Sequence, residues 1–166
     1  KILVIQNKMG IGDMVIYLPF IKAISKKFNT TVSILVKESS KAEQFLKNSN
    51  IINKIIILER GNKKKAGRHD GLAGFYNLIK DLKKHSFDKV FIFNSSFRFN
   101  LITRISGIID IHQYPLLQKK NQHVIVAAKE LLRKNIDLDI ESDPEISINN
   151  QSVKEAKSKY RINNDK

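Results

Sequence analysis

Apolar runs recur along the chain at Ile2 to Ile5, Val32 to Val36, Ile55 to Leu58 and Val90 to Phe93. Each is four or five residues long and apolar at successive positions except for Ser33, the pattern of a strand covered on both faces in a parallel sheet. Between the runs the period lengthens. From Asp13 to Phe28, apolar residues fall mostly three or four positions apart (Val15, Ile16, Leu18, Ile21, Ile24, Phe28), while Lys22, Lys26 and Lys27 are left for solvent. That spacing predicts a helix, with Pro19 kinking it or marking a short first turn. Further helices are predicted at Ser40 to Lys47, Leu72 to His85, Phe97 to Ile105 and Val124 to Lys134, and a further strand at Ile109 to Gln113. Strands alternating with helices predict an α/β domain, a Rossmann-like doubly wound parallel sheet in three α/β/α layers.

Two stretches break this rhythm. ERGNKKKAGRHDGLAG, Glu59 to Gly74, holds four glycines and five Lys or Arg with almost nothing apolar, and predicts a mobile basic loop after the third strand. From Asn135 onward the chain turns polar, with a short strand candidate at Ile146 to Ile148 and a lysine-rich helix candidate at Val153 to Tyr160. The expected organisation is one domain over 1–148 and a linker with a helix over 149–166. A chain of 166 residues suits one compact core.

Composition narrows the chemistry. Thirty Lys and Arg against sixteen Asp and Glu give a net charge of +14, which favours anionic partners. A chain heavy in Ile, Lys and Asn throughout would reach much of that charge through compositional bias alone. With no cysteine, disulfides, thiolate catalysis and Cys-based zinc sites are excluded, which fits a reducing compartment. There is no apolar run of about 18 residues, so the chain reads as a cytoplasmic protein whose basic surface could still touch a membrane.

Ligands of open parallel sheets sit at the carboxyl ends of the strands, which directs attention to MGIGD, Met9 to Asp13. Gly10 and Gly12 permit a tight turn and close approach of backbone to a ligand, and the first amides of the following helix favour an anion. The dinucleotide fingerprint G-x-G-x-x-G fails, because Val15 stands where the third glycine belongs, and no G-x-x-x-x-G-K-[ST] occurs. Two roles remain open for Asp13: an N-cap of the helix, which spacing favours, or a general base at a cleft. A carboxylate held by helix amides is a weaker base, so the two roles pull against each other.

Arg60, Lys63, Lys64, Lys65 and Arg68 would lie on the same rim, either as solvated charge or as a clamp on an acidic ligand. Asn94-Ser95-Ser96-Phe97-Arg98 falls where the fourth strand meets its helix; its polar residues suit a helix cap, and Arg98 could face the cleft. His69, His85, His112 and His123 lack metal-ligand spacing and are expected at the surface or in polar contacts. Phe91, Phe93, Phe97 and Phe99 alternate as core residues rather than interleaving with basic ones, so nucleic acid is not the expected partner. A non-catalytic basic module that binds nucleic acid or another polyanion stays as the alternative.

Taken together, these segments resemble glycosyltransferase family 9, the ADP-heptose:lipopolysaccharide heptosyltransferases. The resemblance rests on ILVIQNKMGIGDMVIYLPFIKAISKKF, a strand, a polar turn ending in Gly-Asp and an apolar helix with a proline. VSILVKESSKAEQFLKNSNIINKIIIL, FDKVFIFNSSFRFNLITRISGI and NQHVIVAAKELLRKNID follow in the family's order. The resemblance implies the N-terminal, acceptor-binding half of a two-domain GT-B enzyme, with the chain ending where a nucleotide-sugar domain would begin. It implies an inverting transfer of heptose from ADP-heptose to an acidic lipopolysaccharide core, with no cofactor, at the cytoplasmic face of the inner membrane. It maps the general base onto Asp13 and acceptor contacts onto the basic loop, at Arg60, Lys63, Lys64 and Lys65; Gly10, Gly12 and Arg98 join them as acceptor-binding candidates from their own places at the strand ends. The chain departs from the family at Asn94-Ser95-Ser96, where Asp and Gln-Gly are common.

Overall fold

The computed structural model describes residues 1–47, 49–61, 65–116, 123–140 and 150–160. The elements run β1 (Ile2–Gln6), α1 (Ile11–Lys27), β2 (Val32–Lys37), α2 (Ala42–Leu46), β3 (Ile52–Leu58), α3 (Gly71–Lys83), β4 (Lys89–Ile92), α4 (Phe97–Ile105), β5 (Asp110–Gln113), α5 (Val124–Ile136) and α6 (Asn150–Tyr160). The predicted alternation holds, and the expected strand at Ile146 to Ile148 lies outside the described residues. All pairings in the sheet are parallel, in the order β3-β2-β1-β4-β5. The chain winds outward from β1 to β3, crosses back through α3, and winds the other way from β4.

Strand alternation explains the two cores. Ile2 and Val4 of β1 and Phe91 and Phe93 of the β4 segment face α1, α2 and α5, whose Tyr17, Ile21, Leu46, Ala128 and Leu132 complete one cluster. Leu3, Ile5, Val90 and Ile92 face the other way, against Leu78 and Leu82 of α3 and Phe99 and Ile102 of α4. Every residue of β1 is buried, as a central strand covered on both faces requires.

Several local expectations change. Helix α1 begins at Ile11, two residues before the expected start, and runs through Pro19 without a break. The missing Pro19 amide is therefore tolerated within one continuous helix, whose buried face supplies Tyr17, Leu18, Phe20, Ile21 and Ile24 to the core. Helix α2 is shorter than expected: a single 3-10 turn, Glu38–Ser40, precedes it, and Lys41 between them adopts a left-handed conformation at φ 54°. β3 extends back to Ile52, because Lys54 can pair with Ser33 of β2 while its side chain reaches solvent.

The loop after β3 departs furthest from expectation, because the parts of it that are described are stitched rather than loose. The His69 amide donates to the Glu59 carbonyl (2.9 Å), and the Glu59 amide donates to His69 Nδ1 (3.0 Å). Gly61 and Gly67 sit so close that a Cβ on Gly61 would lie 2.7 Å from the Ala66 carbonyl carbon, and one on Gly67 would lie 2.5 Å from that of Arg60. Glycine at these positions serves close approach of two backbone segments, not freedom of movement.

Candidate active site

The winding direction reverses between β1 and β4, so their carboxyl ends form the switch point where doubly wound sheets bind ligands. The turn after β1 brings MGIGD to this point. Gly10 occupies the N-cap of α1 at φ 102°, in the left-handed range that a side chain disfavours, and makes no side-chain cap. Gly12 lies in the first turn with nothing within 4 Å of where a Cβ would stand, so its surroundings are open to an approaching molecule.

Asp13 is not the N-cap. It is the third residue of α1, half-buried, where its charge complements the helix dipole without closing the helix end. The capping expectation fails because the helix starts earlier, at the glycine whose conformation permits the sharp entry. Tyr17, one turn on, shares the face of Asp13 and feels its charge. Burial raises the pKa of Tyr17 and that of Tyr114, which follows β5. Both phenols remain protonated hydroxyls close to one another, and neither has a well-formed hydrogen bond. Gln6, the last residue of β1, also places both amide atoms in the interior without a partner. The carboxyl end of the sheet therefore holds a buried, neutral, polar layer beside Asp13.

At β4 the Asn94 side chain bends the exit of the strand, its Oδ1 accepting from the Ser96 amide at 2.9 Å. The expected hydroxyl cap of α4 is not formed: Ser96 stands at the N-cap without a side-chain cap bond. Gln113 of β5 secures this turn instead, donating to the Asn94 and Ser96 carbonyls (both 3.0 Å) while accepting from Asn100 (2.7 Å).

Of the expected basic clamp, Lys63 and Lys64 lie outside the described residues, and Lys65 is exposed. The structure brings Arg60 and Arg98 together. Both donate to the His69 carbonyl, Arg98 at 3.1 Å and Arg60 at 3.5 Å, and the Arg98 guanidinium lies 5.5 Å from the centre of the Phe75 ring. Burial, and then the like charge of Arg60, lower the pKa of Arg98 from the ordinary arginine value. Two guanidiniums this close form a ready site for an anion that can accept from both.

Sequence reasoning did not single out the residue that holds this pair. Asp70 occupies the N-cap position of α3 but turns away from the helix. Its Oδ2 accepts from the Gly61 and Gly67 amides, both at 2.7 Å, and its Oδ1 pairs with Arg60 Nε at 2.8 Å. Those amides, reinforced by Arg60, lower its pKa. The only sequence signal was an acid between glycine-flanked basic residues. His69, expected at the surface or in polar contacts, makes polar contacts but is 1% exposed. Its Nδ1 accepts from Glu59, so Nε2 carries the proton and donates to Asp81 Oδ2 at 3.1 Å. Arg68 also pairs with Asp81 and lowers the pKa of that carboxyl strongly.

The sheet order and the helices on both faces define a Rossmann-like domain, a fold of the kind that forms the N-terminal half of GT-B glycosyltransferases. Particular structures carry the likeness. A glycosyl transferase family 9 structure from Veillonella parvula DSM 2008 matches 98% of this chain with a TM-score of 0.72 at 18% identity, the chain covering 50% of it. E. coli ADP-heptose lps heptosyltransferase II matches 99% of the chain with a TM-score of 0.66 at 16% identity, 51% of that structure being covered. E. coli heptosyltransferase WaaC, solved with ADP-2-deoxy-2-fluoro heptose, matches 88% with a TM-score of 0.53 at 15% identity, half of it being covered. The chain thus spans about half the length of each, and the likeness is one of fold. No family model and no curated protein matches the sequence.

Proposed function

We propose that this chain is the acceptor-binding half of an inverting glycosyltransferase that moves heptose from an ADP-linked donor to an acidic lipopolysaccharide core, with 149–166 leading toward a nucleotide-sugar domain. The observation that carries the reading is the placement of Asp13. It stands half-buried in the first turn of α1 at the switch point, on the same rim as the Arg60 and Arg98 pair. The anionic groups of the acceptor sit against these guanidiniums, with Lys63, Lys64 and Lys65 in the same loop adding charge. Gly10 and Gly12 let the acceptor approach the backbone closely.

In the reaction, an acceptor hydroxyl attacks the anomeric carbon from the face opposite the nucleotide diphosphate. The new carbon–oxygen bond forms as the bond to the diphosphate breaks, and the configuration inverts. Asp13 takes the hydroxyl proton, and the nucleoside diphosphate leaves with the bonding electrons. The donor is held mainly by the second domain, so this half alone binds acceptor without transferring sugar.

The test is a transfer assay with the full-length protein, ADP-heptose and a lipopolysaccharide core acceptor. Asp13→Asn should lower kcat about 10²- to 10⁴-fold with the fold intact. Unchanged turnover would remove Asp13 from the chemistry. Charge reversal at Arg60 and Lys65 should raise the acceptor KM more than the donor KM; equal effects would count against the clamp.

A further inference from the structure

A chain of side-chain amides runs back along α4 to the turn that launches it. Exposed Arg104 donates through Nε to Asn100 Oδ1 at 2.9 Å, so the Asn100 nitrogen is the end that meets β5, donating to Gln113 Oε1 at 2.7 Å. With its oxygen so engaged, Gln113 turns Nε2 toward the Asn94 and Ser96 carbonyls, each at 3.0 Å. Donor and acceptor are thereby fixed at every link.

Strand parity puts Gln113 in reach. Ile111, two residues earlier on β5, packs against the core shared with α3 and α4, and Gln113 continues that face at the carboxyl end. Its bonds matter because α4 fixes its own start weakly. Ser96 stands at the N-cap without a side-chain cap, and the Asn100 amide reaches the Ser96 carbonyl only at 3.3 Å. Gln113 ties that carbonyl, and the Asn94 carbonyl before it, to the neighbouring strand. Arg98 lies in the turn so tied, and its guanidinium crosses to the His69 carbonyl at 3.1 Å, 5.5 Å from the centre of the Phe75 ring. A small rotation of the turn displaces the far end of so long a side chain, and about 1 Å there is enough to spoil an aligned contact.

We propose that Gln113 is a positioning residue for anion recognition: through the Asn94 and Ser96 carbonyls it sets the first turn of α4, and with it the place where Arg98 and Arg60 together meet an acidic group of the ligand. The inference rests on the assignment of these arginines to the acceptor under the proposed function, and adds to it a residue of β5 that acts through them.

The test replaces Gln113 with methionine, which keeps the length of the side chain and gives up its hydrogen bonds, in the full-length protein with and without Arg98→Ala. Calorimetric titration with inorganic tripolyphosphate, which needs no transfer reaction, should show Gln113→Met weakening the affinity about tenfold, the order of one charge-assisted bond. In the Arg98→Ala background the same replacement should change it less than about twofold, because no guanidinium remains to be placed. Asn100→Ala, which favours the helix while removing the partner that orients Gln113, should weaken binding in the same direction and keeps the question open to measurement if the methionine variant folds poorly. In the transfer assay, Gln113→Met should raise the acceptor KM while donor KM and kcat hold, a split that general loosening of the fold would not produce. Unchanged tripolyphosphate affinity in both Gln113→Met and Asn100→Ala, or an equal loss with and without Arg98, would overturn the proposal. An Arg98→Ala variant with unchanged affinity would overturn it too, since Arg98 would then hold no anion. A protein that binds tripolyphosphate as expected but transfers no heptose would refute the proposed function and leave the role of Gln113 standing.

Discussion

Replacing Gly74 with alanine tests whether the loop after β3 is as rigidly seated as its contacts imply. In a helix interior this change ordinarily stabilises by about 1 kcal/mol, because alanine gives up less backbone freedom on folding. Gly74 lies in the first turn of α3 directly against the loop, and a Cβ there would stand 2.6 Å from His69 Cα and 2.7 Å from the His69 carbonyl oxygen. The His69 carbonyl carbon would be closer still, and comfortable carbon contacts lie at about 3.5–4.0 Å, so His69 would have to retreat by about 1.5 Å. Five bonds oppose that retreat: the amide and Nδ1 both bond Glu59, Nε2 bonds Asp81, and the carbonyl receives Arg98 and Arg60. Overpacking against such a fixed neighbour costs about 1–3 kcal/mol, which offsets the helix gain and leaves a net loss of about 1 kcal/mol. Denaturation in guanidinium chloride should show a lower midpoint with an unchanged slope, and the melting temperature should fall by about 2–4 °C. A variant stabilised by about 1 kcal/mol would refute the reasoning, since the His69 backbone would then be free to move aside.

Gly12→Ala is the matching control: with nothing within 4 Å of the added Cβ, it should raise stability by up to about 1 kcal/mol in the same titration. If an acceptor approaches the backbone there, the same substitution should weaken acceptor binding in the transfer assay. Gly10→Ala should destabilise instead, because φ 102° is strained for any side chain. In pH titrations, Asp81, held low first by Arg68, and Asp70, held low first by the Gly61 amide, bind protons less readily when folded than when unfolded. Stability should therefore be fully present above about pH 3.8 and be lost as the pH falls below it; Asp81→Asn should flatten that acid limb, and an unchanged limb would exclude Asp81 as a contributor.

The periodicity of the chain made most of the scaffold legible. The runs at Val32 and Val90 read as strands because both faces are buried, and Phe97 to Ile105 read as a helix because Phe99 and Ile102 fall three apart toward α3. Lys41 shows where this reading stops: a left-handed residue splits what looked like one helix, and nothing in the apolar spacing marks it. The site was legible as a location, because glycines and an acid after β1 must fall at the switch point. Its organisation was not. That the Asp70 carboxylate would join amides six residues apart, or that His69 would be buried against Asp81, depends on tertiary contacts that leave no periodic trace. Gln6 was hidden for a different reason: it continues the inward parity of Ile2 and Val4, but a polar residue ending an apolar run reads as the first residue of a loop.

The pinch between Glu59–Gly61 and Gly67–Asp70 separates two tasks along the chain. Among the described residues, contacts that close the loop onto α3 lie at its base, in the Gly61 and Gly67 amides, the Asp70 carboxylate and the His69 ring. Lengthening a closed loop by a few residues costs only a fraction of a kcal/mol. A change in the number of residues between the two glycines therefore costs the sheet beneath little, and under the proposed function it would alter the acceptor-facing rim while keeping one scaffold.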